Sequence, residues 1–529
     1  MTNPLINTIL ELNDVQALQV DFSQLQKIPK EHAEKIQTIL YYKDSENFIY
    51  ILTTNNHPEE LQKIIKQLAE KGVKTKVFYT SVEGFLYALK RYDELEQIET
   101  KKQEEHTIQQ QAEGKSAVKI IQQLYETRDS KDPGDFIMEM VRLSFQSGAS
   151  DLHLQPEGEK IALRLRLDGI LHDVISFEKQ DFWKYLQKLK FISGAKMNID
   201  YLPQDGRFGF EATNPNGERK KVDARVNFMP GMHMESTVIR FLDRAKGVSS
   251  FQEIGFSDRA YDILKRYIEK TTGIIIITGP TGSGKTTTLY SILHTLNTGD
   301  SKIITLEDPI EYEMPGIQQS QINYAKDYDY ETGLKAVLRH DPDIILIGET
   351  RSTETAEIAI NAALTGHLVF TTLHTNSAIA SISRLNSMDV KPYLLAPALQ
   401  LILGQRLVRK LCPHCVSKRK ATYAEQVEIE KYIKTMQELD PNFKIEYDGT
   451  VPQANGCEQC NHTGYVGRVA ILEILEITER LRQLIIDGAN ESEIFAKARA
   501  NGFLSMQEDG ILKVLQGKTT MEELHRVIA

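Results

Sequence analysis

The chain has 529 residues, more than one ordinary domain holds, so three or four domains are expected. An apolar fraction of 41% supports real cores, and a net charge of −10 gives no global field favouring nucleic acid. No apolar run reaches the length of about 18 residues that a bilayer requires. The start "MTNPLINTILELND" has no basic stretch followed by an apolar one, so a cytoplasmic location is expected, with membranes met only through partners.

Residues 1–92 read as a small α/β domain suited to docking. "NFIYILTTNN" and "KVFYTS" are strand-like, and "EELQKIIKQLAEKG" places Leu61, Ile64, Ile65 and Leu68 at helical spacing. Residues 93–130 form the expected linker, rich in charge and Gln at its start. A second domain is expected over 131–248. "DPGDFIMEMVRLSFQSG" carries a helix start, and "SDLHLQ", "KIALRLRLDG" and "VDARVNFM" alternate like strands of an antiparallel sheet. Residues 249–411 alternate buried strands with helices, the pattern of a mostly parallel sheet. A cysteine-bearing element over 412–467 and a helical region over 468–529 complete the chain.

Within the third region "GIIIIT" runs into "GPTGSGKTTT". Gly279, Gly284, Lys285 and Thr286 match the phosphate-loop pattern. The stretch Gly279, Pro280, Thr281, Gly282, Ser283, Gly284, Lys285, Thr286 and Thr287 is thus the expected cradle for ATP. Its backbone N–H groups turn inward, Lys285 reaches the outer phosphates and the Thr286 hydroxyl ligates Mg²⁺. Hydrolysis also needs acids, and two follow at strand ends: Glu307 and Asp308 in "ITLEDPIEY", and Glu349 after "IILI". His367 and His374 flank the apolar run "LVFTTL".

All four cysteines fall in two Cys-x-x-Cys pairs, Cys412/Cys415 and Cys457/Cys460. In a chain with no export signal these point to a structural Zn²⁺ held by four thiolates, with His414 and His462 as substitute ligands.

The motifs together resemble the secretion ATPases that drive type IV pilus assembly and type II secretion. "GASDLHLQP" and "RLRLDGIL" resemble the family's second N-terminal domain, "GPTGSGKTTTLY" its Walker A motif and "TLEDPIEY" its Asp box. "RHDPDIILIGETR" resembles its Walker B motif, "GHLVFTTLHTNSA" its His box, and the cysteine pairs its zinc element. The resemblance implies an α/β multidomain fold: a RecA-like ATPase core, a PAS-like second domain, a small N-terminal domain and a four-cysteine zinc element. It implies that Glu349 polarises the attacking water, that Glu307 assists at the metal and that His374 senses the γ-phosphate. It further implies that Arg207, Arg225 and Arg240 of the second domain cover the nucleotide. The family works as a homohexamer that moves an inner-membrane platform protein, alongside other pilus or secretion assembly proteins. A RecA-like nucleic-acid translocase and a scaffold that binds ATP without hydrolysing it are the competing classes. The acidic balance speaks against the first, and the intact Lys285, Thr286, Glu307 and Glu349 against the second.

Overall fold

A computed structural model describes residues 9–528 except 12–13, 16–19, 26, 44–47, 55–56, 71, 94–116, 214–217, 243–249 and 441–442. The chain divides into two compact units, Met1–Glu113 and Gly114–Ala529. No helix among the described residues is long and apolar enough to cross a membrane.

The first unit holds a four-stranded sheet in the order Ile9–Leu10, Lys74–Thr80, Phe48–Thr53, Thr38–Lys43, with only the last pair antiparallel. The helix Pro58–Glu70 packs Leu61, Ile64, Ile65 and Leu68 against this unit's own core, as their spacing requires.

The expected 93–130 linker lies mostly outside the described residues, and its remainder is not linker. Ala117–Glu126 is a helix of the second unit, with Ile121 fully buried and Tyr125 set edge-on to Phe177 at 5.1 Å. Its short apolar stripe finds a partner only in the folded sheet, which is why the charge-rich residues before it masked it.

The next layer is a six-stranded antiparallel sheet. Its order is Ile170–Glu178, Lys160–Leu167, Asp151–Glu157, Ser236–Leu242, Arg219–Met229, Gln204–Thr213. The helix Pro133–Gln146 begins where Asp132 accepts the Gly134 and Asp135 N–H groups, with Pro133 pre-set in its first turn. It buries Phe136, Ile137, Met140 and Val141. Alternation leaves the other face of the sheet polar, and that face bears on the site.

The largest sheet has seven strands. Their order is Gln318–Gln321, Ile303–Glu307, Ile344–Ile347, Leu368–Leu373, Gly273–Thr278, Leu399–Leu411, Tyr465–Glu476. The first six run parallel and the last is antiparallel. Both faces are buried. Ile274, Ile276, Ile345 and Val369 enter one core, and Ile275, Ile277, Leu346 and Phe370 the other. This explains the continuous apolar runs in place of alternation. The sheet extends past the expected limit of residue 411, because Tyr465–Glu476 pairs with Leu399–Leu411 after the cysteine element has intervened.

Candidate nucleotide site and cysteine centre

The strand Gly273–Thr278 is the fifth of the seven, and its carboxyl end feeds the phosphate loop. Gly279, Gly282 and Gly284 have φ of 150°, 79° and 87°, values that L side chains rarely adopt. At Gly279 a Cβ would also lie 2.3 Å from the Gln405 carbonyl oxygen. The helix Lys285–Leu296 starts from this turn, with Thr286 and Thr287 exposed at its first residues. Lys285 Nζ donates to the carbonyls of Gly279 at 2.7 Å and Pro280 at 3.3 Å. Burial lowers its pKa, and the nearby Glu349 charge opposes the shift. The loop is a nest of N–H donors and one ammonium, the chemistry that takes a phosphate.

Glu349 lies just past Ile344–Ile347, at the carboxyl end of the neighbouring part of the sheet. Arg351 pairs with it at 2.7 Å, and His374 Nε2 lies 3.5 Å from its other oxygen. Burial, with Lys285 adding to it, pulls His374 below its ordinary value, so at neutral pH the ring is uncharged and can donate one hydrogen bond. Glu349, His374 and Lys285 therefore converge as the motif order suggested.

The Glu307 carboxylate is bound by other partners. It is 4% exposed, and both oxygens are engaged: Tyr290 Oη donates to Oε2, Thr305 Oγ1 to Oε1 at 2.5 Å, and Gln319 Nε2 to Oε1 at 3.2 Å. These contacts give the Glu307 carboxylate a structural role beside the one expected at the metal. This carboxylate ties the phosphate-loop helix to two strands. The exposed acids on the same loop are Asp308, Glu311 and Glu313.

The three second-domain arginines form one row. Arg207 stands opposite Arg225, and Arg225 opposite Arg240, on adjacent strands. The row continues through Asp151 to Arg166. Directly opposed residues share a face, so four guanidiniums line up with a single carboxylate among them. Asp151 accepts from Arg240 at 2.8 Å and lies 3.5 Å from Arg166, and these charges hold its pKa below the usual range although burial pushes it up. Arg225 donates to the Ile310 carbonyl at 3.1 Å, which sets it beside the Asp-box loop of its own chain.

The four cysteines are free thiols gathered in one cluster. Sγ–Sγ distances are 3.8 Å for Cys412–Cys457, 3.8 Å for Cys415–Cys460 and 3.7 Å for Cys457–Cys460. A tetrahedron with Zn–S bonds of about 2.3 Å has edges of about 3.8 Å, so the donor set fits zinc. The N–H groups of Cys457 and Gly464 point at Cys460 Sγ at 3.1 and 3.2 Å, as they do around a metal-bound thiolate. His414 and His462 are not in the cluster.

Some supporting residues were not singled out by the motifs. Gln405 donates to the Ser283 carbonyl at 2.8 Å and accepts from Thr288 at 2.8 Å, clasping the phosphate loop from the adjacent strand. Thr278 and Thr375 share a 2.6 Å hydroxyl contact that joins the end of the loop's strand to the His box. Arg166 completes the arginine row. Only strand register could have revealed these partners.

A parallel sheet with a phosphate loop at its carboxyl edge, an acid at the end of the next strand but one and a layer of arginines defines a P-loop ATPase. The chain belongs to the type II/IV secretion system protein family, whose model matches residues 126–526. It is 38% identical to the type II secretion system protein E of Pseudomonas aeruginosa over 414 residues, covering 77% of this chain and 79% of that one. It is also 38% identical to the type IV pilus assembly ATPase PilB of Pseudomonas aeruginosa over 394 residues, covering 74% and 67% respectively. Among solved structures, the Yersinia pseudotuberculosis ATPase DotB superposes with a TM-score of 0.54 at 19% identity, over 75% of this chain and 93% of that one. This last likeness concerns the fold.

Proposed function

We propose that this chain is a Mg²⁺-dependent ATPase that works as a homohexamer on the cytoplasmic side of the inner membrane and powers type IV pilus assembly through a membrane-embedded platform protein. The observation that carries the ATPase reading is the convergence of Lys285, Glu349 and His374 at the carboxyl end of one parallel sheet. In this reading the phosphate loop and Lys285 hold the phosphates, and Thr286 offers its hydroxyl to Mg²⁺. Mg²⁺ supplies charge neutralisation at the phosphates when bound. Glu349 orients water, His374 donates to the γ-phosphate, and Arg207, Arg225 and Arg240 neutralise phosphate charge from the facing sheet. Zn²⁺ held by Cys412, Cys415, Cys457 and Cys460 keeps its element folded and takes no part in hydrolysis.

A second reading, the motor of type II secretion, is supported by equal 38% identity to relatives named for each system. Lys285→Ala is expected to abolish ATP turnover. Glu349→Gln is expected to bind ATP but turn it over at least about a hundredfold more slowly, a loss typical for a residue that acts in the transition state. Turnover at the parent rate by Glu349→Gln defeats the assignment. Deleting the gene in its own organism separates the two systems: loss of surface pili supports the first, and loss of an exported protein with pili intact supports the second.

A further inference from the structure

A buried carboxylate outside the motifs links the His box to the C-terminal helices. Glu473 lies on Tyr465–Glu476 and is 6% exposed. Among the described ion pairs it has no basic partner. It accepts two backbone N–H groups instead: Oε1 takes the Ala378 N–H at 2.5 Å and Oε2 the Met506 N–H at 3.3 Å. Ala378 and Met506 are the first residues of the helices Ala378–Ser387 and Met506–Leu515. One carboxylate therefore sits against the positive ends of two helices, an arrangement that compensates a buried negative charge.

Space for this side chain is provided by its cross-strand partner, Gly404. A Cβ on Gly404 would lie 2.6 Å from Glu473 Cγ and 2.7 Å from Oε1. The next residue, Gln405, clasps the phosphate loop. Ala378 follows His374 closely, and the intervening turn is bound to the loop's strand through Thr375, whose N–H donates to Thr278 Oγ1 at 3.0 Å. Thr375 Oγ1 also meets Ser381 Oγ at 2.7 Å, inside the helix that Glu473 anchors.

We infer that Glu473 is a positioning residue for ATP hydrolysis: by holding the first turn of Ala378–Ser387 against Met506–Leu515, it sets the distance between His374 and Glu349. This rests on the reading of His374 and Glu349 as hydrolytic groups. A misplacement of about 1 Å can cost on the order of a hundredfold in rate, whereas nucleotide affinity is set by the phosphate loop, which Gln405 clasps from its own strand.

Glu473→Gln keeps the shape but presents an amide NH₂ to one of the two N–H donors. Its expected result is a fall in kcat of about ten- to a hundredfold at unchanged KM for ATP. Backbone hydrogen exchange should rise over 374–381 and stay at parent levels over 279–288. Gly404→Ala displaces the same carboxylate and should match this pattern, and adding it to Glu473→Ala should cost no more than Glu473→Ala alone, since the added methyl then has room. Parent kcat in Glu473→Gln, a change confined to KM, unaltered exchange over 374–381, or multiplying effects in the double variant each overturn the inference. His374→Ala distinguishes the two readings. If it turns over ATP like the parent, the hydrolytic role of His374 fails, and so does the link to rate inferred here. If it is slow while Glu473→Gln is unaffected, only the positioning role fails.

Discussion

At the scale of single residues, Glu307 shows how a motif position and a buried position can coincide. An acid at the end of a parallel strand near a phosphate loop reads as a metal ligand, and nothing in "ITLEDPIEY" distinguishes that from a structural tie. The structural tie becomes visible in the fold, where Tyr290, on the phosphate-loop helix, donates its hydroxyl to the carboxylate. Burial, with the Glu307 charge beside it, pushes the Tyr290 phenol far above its ordinary value, so it remains a donor throughout the physiological range. Tyr290→Phe keeps the ring, its 4.6 Å edge contact with Tyr312 and the helix, and removes the hydroxyl that donates to Glu307 and accepts the Glu311 N–H at 3.3 Å. The expected cost is about 1–3 kcal/mol, the penalty of leaving a buried acceptor short of a partner. Urea unfolding of the second unit checks it, with ATP affinity expected to persist. A variant as stable as the parent would show that Thr305 and Gln319 satisfy Glu307 without help.

At the scale of elements, the periodic stretches were the most legible. "GIIIIT", "IILI" and "LVFTTL" are buried strands because both faces of the central sheet are covered, and Asp132–Pro133 starts its helix as the residue types demand. Register was not legible. The motif resemblance named Arg207, Arg225 and Arg240, but their alignment in one row, with Arg166 as a fourth member, depends on how three separate hairpins pair. Glu473 was hidden for the same reason: an acid in the apolar run "VAILEILEI" looks like a solvent-facing position, and only Gly404 opposite makes it an inward one. The cysteine element was legible because its signal is local, two short pairs that need only meet. Elemental analysis of protein purified without added metal is expected to find one zinc per chain. Structural zinc contributes about 10–16 kcal/mol in model peptides, so Cys457→Ser should raise hydrogen exchange across 412–464. The adjoining cluster of Val408, Val469, Ile471 and Leu524 should keep the strands paired, and ATP binding should survive. A metal-free segment that exchanges as slowly as the parent counts against the centre.

At the scale of the whole molecule, the contact between Arg225 and Ile310 lies within one chain, so the arginine row is expected to act on the nucleotide held by its own phosphate loop. A charge-neutralising arginine is worth about 10³–10⁵ in rate, and Arg225→Ala should be nearly inactive. Mixing Arg225→Ala with Lys285→Ala subunits tests the assignment. If each chain serves itself, every site in a mixed ring lacks one half and activity stays low. Recovery on mixing, with mixed rings confirmed by mass, would show that neighbours exchange arginines.

The hairpin that carries the cysteines has a consequence for how such a chain can change over generations. Leu399–Leu411 and Tyr465–Glu476 stay paired from Leu401↔Glu476 to Leu411↔Tyr465, so the intervening segment leaves and rejoins the sheet at neighbouring points. A single in-frame loss there would leave the stem able to close with a short turn, and a single gain would restore the module without touching the phosphate loop. The exchange is not free of trace. Ile429, Tyr432 and Met436 of the segment share a core with Met506, Ile511 and Val514 of the C-terminal helices. A lineage that discards the cysteines must therefore also make those three positions polar or find them another cover, and the two changes should be inherited together.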